Sequence, residues 1–232
     1  MVNQAADPSG AKHIVQSFDD DMNGLTSKII QMGGFAERQV ADAVEALVNR
    51  DIVSASRVIE RDKEVDHFEE EIDQDVIRIL AMRQPMAVDL RIITMALKIS
   101  NDLERTSDYA VSIAKRAQRL ADHPEFAAMN QVRRISEQAI GMVKDVLDAF
   151  VDRDVEKATD VWNRDQELDR NYTSLFRELI TYMLEDPRRI SQCIDLLFIA
   201  KNLERIGDHA TNIAEKINYM MLGSSINQPR RD

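Results

Sequence analysis

Apolar residues recur at helical spacing almost from end to end of this chain, and the breaks between runs are few. After a polar opening through Ser9-Gly10, the 3.6-residue pattern holds from about Phe18 to Asn49, interrupted only by Gly33-Gly34, where a kink or a close helix contact is expected. Asp51 has the chemistry of an N-cap for a second helix reaching about Met82, and Pro85 stands where a first-turn proline opens a third that runs to about Ala121. Pro124, Asp154 and Asp186-Pro187 repeat that punctuation for a fourth, fifth and sixth helix, the last ending near Gly223. Short connections between long helices make antiparallel neighbours, so the expected fold is all-α: two tandem, pseudo-symmetric antiparallel three-helix bundles, six helices in all. The boundaries expected are a disordered segment over 1–12, a first bundle over 13–122, a second over 123–223 and a flexible tail over 224–232.

The two halves are copies. Leu103-Glu104-Arg105-Thr106-Ser107-Asp108-Tyr109-Ala110 returns 100 residues later as Leu203-Glu204-Arg205-Ile206-Gly207-Asp208-His209-Ala210. Upstream, Asp62-Lys63-Glu64-Val65-Asp66 is echoed at a spacing of 103 by Asp165-Gln166-Glu167-Leu168-Asp169, and Arg50-Asp51 by Arg153-Asp154. The spacing shrinks because the second copy has a shorter loop around its proline. Each half therefore carries two acidic i, i+4 pairs in the same order, which is how a repeated site is written.

Placed on helices, these carboxylates interrupt apolar faces. On the fifth helix Ala158, Val161, Trp162, Asp165, Leu168, Asp169, Tyr172, Phe176, Leu179, Ile180 and Met183 form one stripe; on the second, Ala55, Val58, Ile59, Asp62, Val65, Asp66, Val76, Ile77 and Leu80 do the same. Glu69 and Asp73 extend the acidic run in the first copy, whereas Tyr172 and Phe176 replace them in the second. Glu104 with Asp108, and Glu204 with Asp208, share faces with aliphatic residues of the third and sixth helices. Like charges at i, i+4 cost only about 0.2–0.5 kcal/mol on an exposed helix, but half-buried they must protonate, pair with a base or coordinate a cation. Oxygen-only ligands favour Mg, Ca, Mn or Fe over metals that prefer soft ligands. The expectation is one acidic metal site per half: Asp62, Asp66, Glu104 and Asp108, then Asp165, Asp169, Glu204 and Asp208. The competing reading is a solvated acidic face, or neutralisation by Arg105 and Arg205.

Composition narrows the partners. A formal net charge of -11 without a basic patch disfavours nucleic acid and anionic membranes. The single cysteine, Cys193, forms no internal disulfide and suits a reducing compartment; with no signal peptide and no apolar run near 20 residues, a cytoplasmic protein is expected. Glu64 and His67 make one ExxH of a di-iron bundle, but Arg170 replaces the histidine in the other copy, so His67 is read as a surface residue and His209 as a packing or surface one. No Walker loop, GxGxxG, CxxC or nucleophile elbow occurs.

The string from Leu203 to Glu215, its duplication, and Arg83-Gln84-Pro85 followed by Asp89-Leu90-Arg91 resemble the PhoU family of phosphate-transport regulators, from about His13 to Leu222. That resemblance implies a non-enzymatic, cytosolic, homodimeric negative regulator of phosphate uptake and of the phosphate-starvation response. It also implies two partners, the ATPase subunit of the phosphate ABC transporter and a membrane-bound sensor histidine kinase, with membrane contact only through them. Some members carry ions or multinuclear clusters at ExxxD motifs, which here are Glu104 with Asp108 and Glu204 with Asp208, facing Asp62, Asp66, Asp165 and Asp169. The ions implied are divalent or trivalent: Mg, Mn, Fe or Zn. The first copy departs from the motif, with Thr106-Ser107 for Ile206-Gly207. A helix-interior glycine costs about 1 kcal/mol, so Gly207 is expected to admit a close neighbour or ligand, and the first site to be looser or differently occupied. A carboxylate-bridged metal oxidase and a metal-free helical scaffold are the alternatives.

Overall fold

In a computed structural model, which describes residues 8–124, 127–224 and 226, the chain is helical and contains no strand among the described residues. Its elements are α1 (Pro8–Asn49), α2 (Ile52–Arg83), α3 (Val88–Leu120), α4 (Met129–Asp152), α5 (Val155–Glu185), a 3₁₀ turn (Pro187–Arg189) and α6 (Ile190–Leu222). α1 to α3 pack on one another as one three-helix bundle and α4 to α6 as a second, joined by α3 against α6 and α1 against α4. α2 and α5 pack only within their own bundles and form the outer edges of a row ordered α2–α3–α6–α5.

α2, α5 and the 3₁₀ turn start where local chemistry supplies hydrogen-bond acceptors. Asp51 Oδ1 accepts from the backbone N–H groups of Val53 at 2.9 Å and Ser54 at 3.0 Å, Asp154 Oδ1 accepts from Lys157 N at 3.0 Å, and Asp186 Oδ1 from Arg188 N at 3.2 Å. The repeated Arg-Asp dipeptide has a shared geometry: Arg50 (φ 55°) and Arg153 (φ 54°) are left-handed, ending one helix as the following aspartate caps the next. Gly223 (φ 71°) closes α6 as expected.

Four expectations need correction. α1 begins at Pro8 rather than near Phe18, so residues 8–12 of the segment read as disordered are helical; a proline costs nothing in a first turn, where its missing N–H has no helical partner. Residues 1–7 of that segment lie outside the described residues, as does most of the tail beyond Ser224. Neither Pro85 nor Pro124 opens a helix. Left-handed Gln84 (φ 48°) and Ala87 (φ 47°) carry the chain round Pro85 before α3 starts at Val88, and α4 starts only at Met129. The stripes on α2 and α5 are narrower than expected: Ile72, Ile79 and Leu175 are core residues, while Asp66, Ile77, Asp169, Phe176 and Ile180 are exposed. Over some 30 residues a 3.6-residue repeat drifts across a fixed seam, so border positions belong to it at one end and not at the other.

Two glycines mark close approaches. A Cβ on Gly33 would collide with Leu147 of α4, which makes Gly33 a helix contact, whereas Gly34 has nothing within 4 Å. A Cβ on Gly207 would collide with Leu168 of α5, itself fully buried.

The α3–α6 seam that joins the bundles is antiparallel and carries charge. Asp102, 6% exposed, has Oδ2 2.5 Å from Lys216 Nζ and Oδ1 2.9 Å from His209 Nδ1. At the far end Asp195 Oδ1 accepts from Arg116 at 3.0 Å and from Arg119 at 2.6 Å. Between them the rings of Tyr109 and His209 stand 5.6 Å apart, and Asn202 Nδ2 donates to Ser112 Oγ at 2.9 Å. His209 thus packs between the halves, and His67 lies on the surface with its side chain 70% exposed.

Candidate metal centres

The expected acidic groups lie along the α2–α3 and α5–α6 contacts. In the first half Asp62 is half-buried, and its Oδ1 accepts from Ser107 Oγ at 2.9 Å; Ser107 in turn accepts from Gln39 Nε2 at 3.0 Å. Burial pushes the Asp62 carboxyl up, the Ser107 bond opposes it, and the charges of Asp66 and Asp108 raise it further. Burial also pushes Glu104 up to about 7, with Asp108 adding to the rise, Arg105 opposing it and Glu69 adding again. Glu104 Oε2 is buried without a hydrogen bond, its nearest cation being Arg105 Nε at 3.4 Å; the same guanidinium reaches Asp108 Oδ2 at 3.1 Å. Glu69 enters this cluster through its charge on Glu104, and its Oε1 accepts from Asn101 Nδ2 at 3.4 Å. The run of acidic residues on α2 signalled Glu69 in the sequence.

The second half is built differently. Glu204 is buried, and both its oxygens lie close to Lys201 Nζ, Oε1 at 2.6 Å and Oε2 at 2.5 Å, although only Oε1 is oriented to accept a hydrogen bond. Burial raises its pKa, Lys201 opposes, and the charges of Asp208 and Asp169 raise it. Asp165 is half-buried and Asp169 exposed. Leu168 fills the space over Gly207, so the glycine admits a packed neighbour rather than a ligand, and no hydroxyl stands where Ser107 meets Asp62. Glu215 replaces Lys115, the base whose charge lowers the Asp62 pKa, and accepts from Trp162 Nε1 at 3.1 Å.

The structure therefore brings Asp62 within electrostatic reach of Asp66 and Asp108, Glu104 within reach of Asp108, and Glu204 within reach of Asp169 and Asp208. Among the described residues, however, no three carboxylate, imidazole or thiolate groups converge closely enough to hold an ion with these side-chain orientations. The cations paired with Glu104 and Glu204 are Arg105 and Lys201, of which the sequence pattern points only to Arg105. Lys201 lies three residues before Glu204, a spacing that could have signalled it. Among the described residues no helix is long and apolar enough to cross a membrane.

Comparison with known proteins matches the duplication. The PhoU domain model fits residues 29–117 and again 132–217. The phosphate-specific transport system accessory protein PhoU homolog of Caulobacter vibrioides (strain NA1000 / CB15N) is 46% identical over 220 residues, 94% of this chain and 96% of that protein. Its counterpart in Rhizobium meliloti (strain 1021) is 49% identical over 214 residues, 91% of this chain and 90% of the relative. The crystal structure of PhoU from Pseudomonas aeruginosa superposes with a TM-score of 0.87 at 42% identity, covering 89% of this chain and 100% of that one. The phosphate transport system regulatory protein PhoU from Streptococcus pneumoniae gives 0.85 at 26% identity, covering 91% and 100%. These relatives are named as accessory and regulatory proteins, not as enzymes. With one match to each half of its duplicated core, and relatives and solved structures alike along most of its length, the chain belongs to the PhoU family.

Proposed function

We propose that this chain is a cytoplasmic, homodimeric negative regulator of phosphate uptake and of the phosphate-starvation response. In this reading it contacts the ATPase subunit of the phosphate transporter and a membrane-bound sensor kinase, and holds divalent or trivalent ions at its acidic pairs. Regulation by such an adaptor requires a surface that prefers one conformational state of each partner, because equal affinity for both states shifts nothing.

The observation that carries the metal reading is Glu104, whose carboxyl is pushed up to about 7 while one buried oxygen makes no hydrogen bond. A carboxylate held under repulsion among other carboxylates fits a hard cation, and the oxygen-only donors are of the right kind. When bound, the ion supplies positive charge that neutralises the facing carboxylates and fastens two helices of a bundle together. Asp62, Asp66, Glu104 and Asp108 would hold it in the first half, and Asp165, Asp169, Glu204 and Asp208 in the second. Ion binding then competes with Arg105 and Lys201 for the same oxygens, so occupancy and side-chain pairing are coupled.

Elemental analysis of the purified protein, wild type against Asp165→Ala/Asp169→Ala, tests the sites. Metal content should fall on substitution; equal content in both proteins would remove the second-half site. Pulldown of the transporter ATPase and the kinase at high and low phosphate tests the adaptor role, and loss of both contacts under both conditions would overturn it.

A further inference from the structure

The two acidic clusters differ in what already sits among their carboxylates. In the second half the Lys201 ammonium lies on Glu204, with Nζ 2.6 Å from Oε1 and 2.5 Å from Oε2, and stands 5.2 Å over the Tyr172 ring. The Glu204 side chain is 11% exposed, so a cation is held between a buried carboxylate and an aromatic face. At the repeat spacings Lys201 becomes Asn101 and Tyr172 becomes Glu69, and there the amide donates to the carboxylate at 3.4 Å. The first half thus has one cation fewer and one carboxylate more at the same two places. The base nearest Glu104 is Arg105, 51% exposed, which reaches Asp108 at 3.1 Å and leaves the buried Glu104 Oε2 without a hydrogen bond. Glu204 Oε2 makes no hydrogen bond either, but it lies against the ammonium. Arg205, the counterpart of Arg105, stands over the Tyr109 ring across the seam at 5.6 Å. Lys115 works in the opposite sense, lowering Asp62 by its charge where the second half has Glu215. Glu215, however, accepts from Trp162 and lies outside the pairing of Lys201 with Glu204.

We propose that Lys201 is the resident counter-ion of the second acidic cluster, so that a free divalent cation fills the first half ahead of the second; the inference rests on the metal reading above. An entering ion must either displace the ammonium from Glu204 or remain beside it. Displacement breaks an ion pair to a buried carboxylate, and coexistence sets like charges together. The lysine is tethered three positions from Glu204 on the same helix, so dilution does not remove it, whereas the ion is present only at its concentration in solution. In the first half the neighbouring guanidinium is half exposed and makes no hydrogen bond to Glu104, and Glu69 offers oxygen donors where the second half has a ring. The duplication has therefore left one cluster that answers to a free ion and one that its own chain neutralises.

Equilibrium dialysis of the full-length chain against manganese(II) chloride, with bound ion counted by elemental analysis across a titration, tests this one half at a time. Asp165→Asn/Asp169→Asn leaves the first cluster intact, and Asp62→Asn/Asp66→Asn leaves the second. The first should bind manganese about tenfold or more tightly than the second. Adding Lys201→Met to the chain that keeps the second cluster should tighten its binding by about tenfold or more, and adding Asn101→Lys to the chain that keeps the first should weaken it by a similar factor. Circular dichroism checks that each variant is folded; should Lys201→Met fail to fold, Asn101→Lys decides, because residue 101 is exposed. Equal affinities in the two halves, tighter binding in the second, or affinities that Lys201→Met and Asn101→Lys leave unmoved would overturn the proposal and leave the metal reading standing. Manganese bound by neither wild type nor any variant removes both.

Discussion

Removing Asp102 should loosen the joint between the two bundles more than any surface substitution. Its side chain is 8% exposed, with Lys216 Nζ at 2.5 Å and His209 Nδ1 at 2.9 Å, and it belongs to α3 while both partners belong to α6. Asp102→Ala leaves the Lys216 ammonium, 18% exposed, with only the Asn212 carbonyl at 3.2 Å. Breaking one side of a buried ion pair costs about 3–5 kcal/mol, because the remaining charge stays desolvated. For a chain of this size about 2–4 °C of melting temperature goes with each kcal/mol, so a fall of roughly 6–20 °C is expected. Asp102→Asn keeps the shape and should cost less, and Asp102→Asn/Lys216→Met, which removes both charges, should recover much of the loss. Urea unfolding at neutral pH, followed by circular dichroism, reads each free energy and shows whether the halves come apart in separate steps once the seam is weakened. An Asp102→Ala protein within about 1 kcal/mol of wild type, or strict additivity in the double variant, would refute the reasoning.

Three further substitutions probe the acidic site and the glycines. Glu104 is raised from 4.5 to about 7, so between those values the folded state binds a proton that the unfolded state has released, and stability falls as pH rises through that window. Glu104→Gln should therefore leave metal-free protein unchanged near pH 4 and stabilise it at pH 8, by about 1–2 kcal/mol after discounting the shift of roughly 3 kcal/mol for screening. Equal stabilisation at both pH values in thermal melts would contradict it. Gly34→Ala, with nothing within 4 Å, should gain about 0.5–1 kcal/mol from helix propensity. Gly207→Ala must displace the buried Leu168, and should lose about 1–2 kcal/mol net. The opposite signs are the check, read from urea midpoints.

What the sequence disclosed was local. Asp51, Asp154 and Asp186 cap helices through bonds to residues two or three positions away, so composition at those points suffices to place the boundaries. Pro85 opens no helix because the chain turns there through Gln84 and Ala87, non-glycine residues with positive φ that carry no sequence mark. The order and spacing of the acidic pairs were legible, but their burial was not. Asp62 and Asp66 differ by only about 40° around α2, and the seam with α3 falls between them. Ser107 on Asp62, Asn101 on Glu69 and Leu168 on Gly207 depend on the register between helices, to which no single helix's periodicity responds.

That register also explains why the halves diverged. In a duplicated chain whose copies meet antiparallel through α3 and α6, an unaltered repeat would form every contact twice, residue i with residue j and the reverse, and only positions near the axis would meet their own counterparts, as Tyr109 meets His209. The charged contacts of this seam are instead single, because the copies differ at the positions that make them. Asp102 faces Lys216 and His209, while its counterpart Asn202 bonds Ser112; Asp195 faces Arg116 and Arg119, while its counterpart Met95 is apolar. Each cluster exists at one end of the seam alone and fixes which half is which. The same asymmetry reaches the acidic sites through Lys115 against Glu215 and Ser107 against Gly207, and the outer face through Glu69 against Tyr172 and Asp73 against Phe176. A protein with two interchangeable halves would present any partner with two equivalent faces; this one sets Glu69 and Asp73 on one outer face and Tyr172 and Phe176 on the other, and buries two unlike charge clusters between the halves.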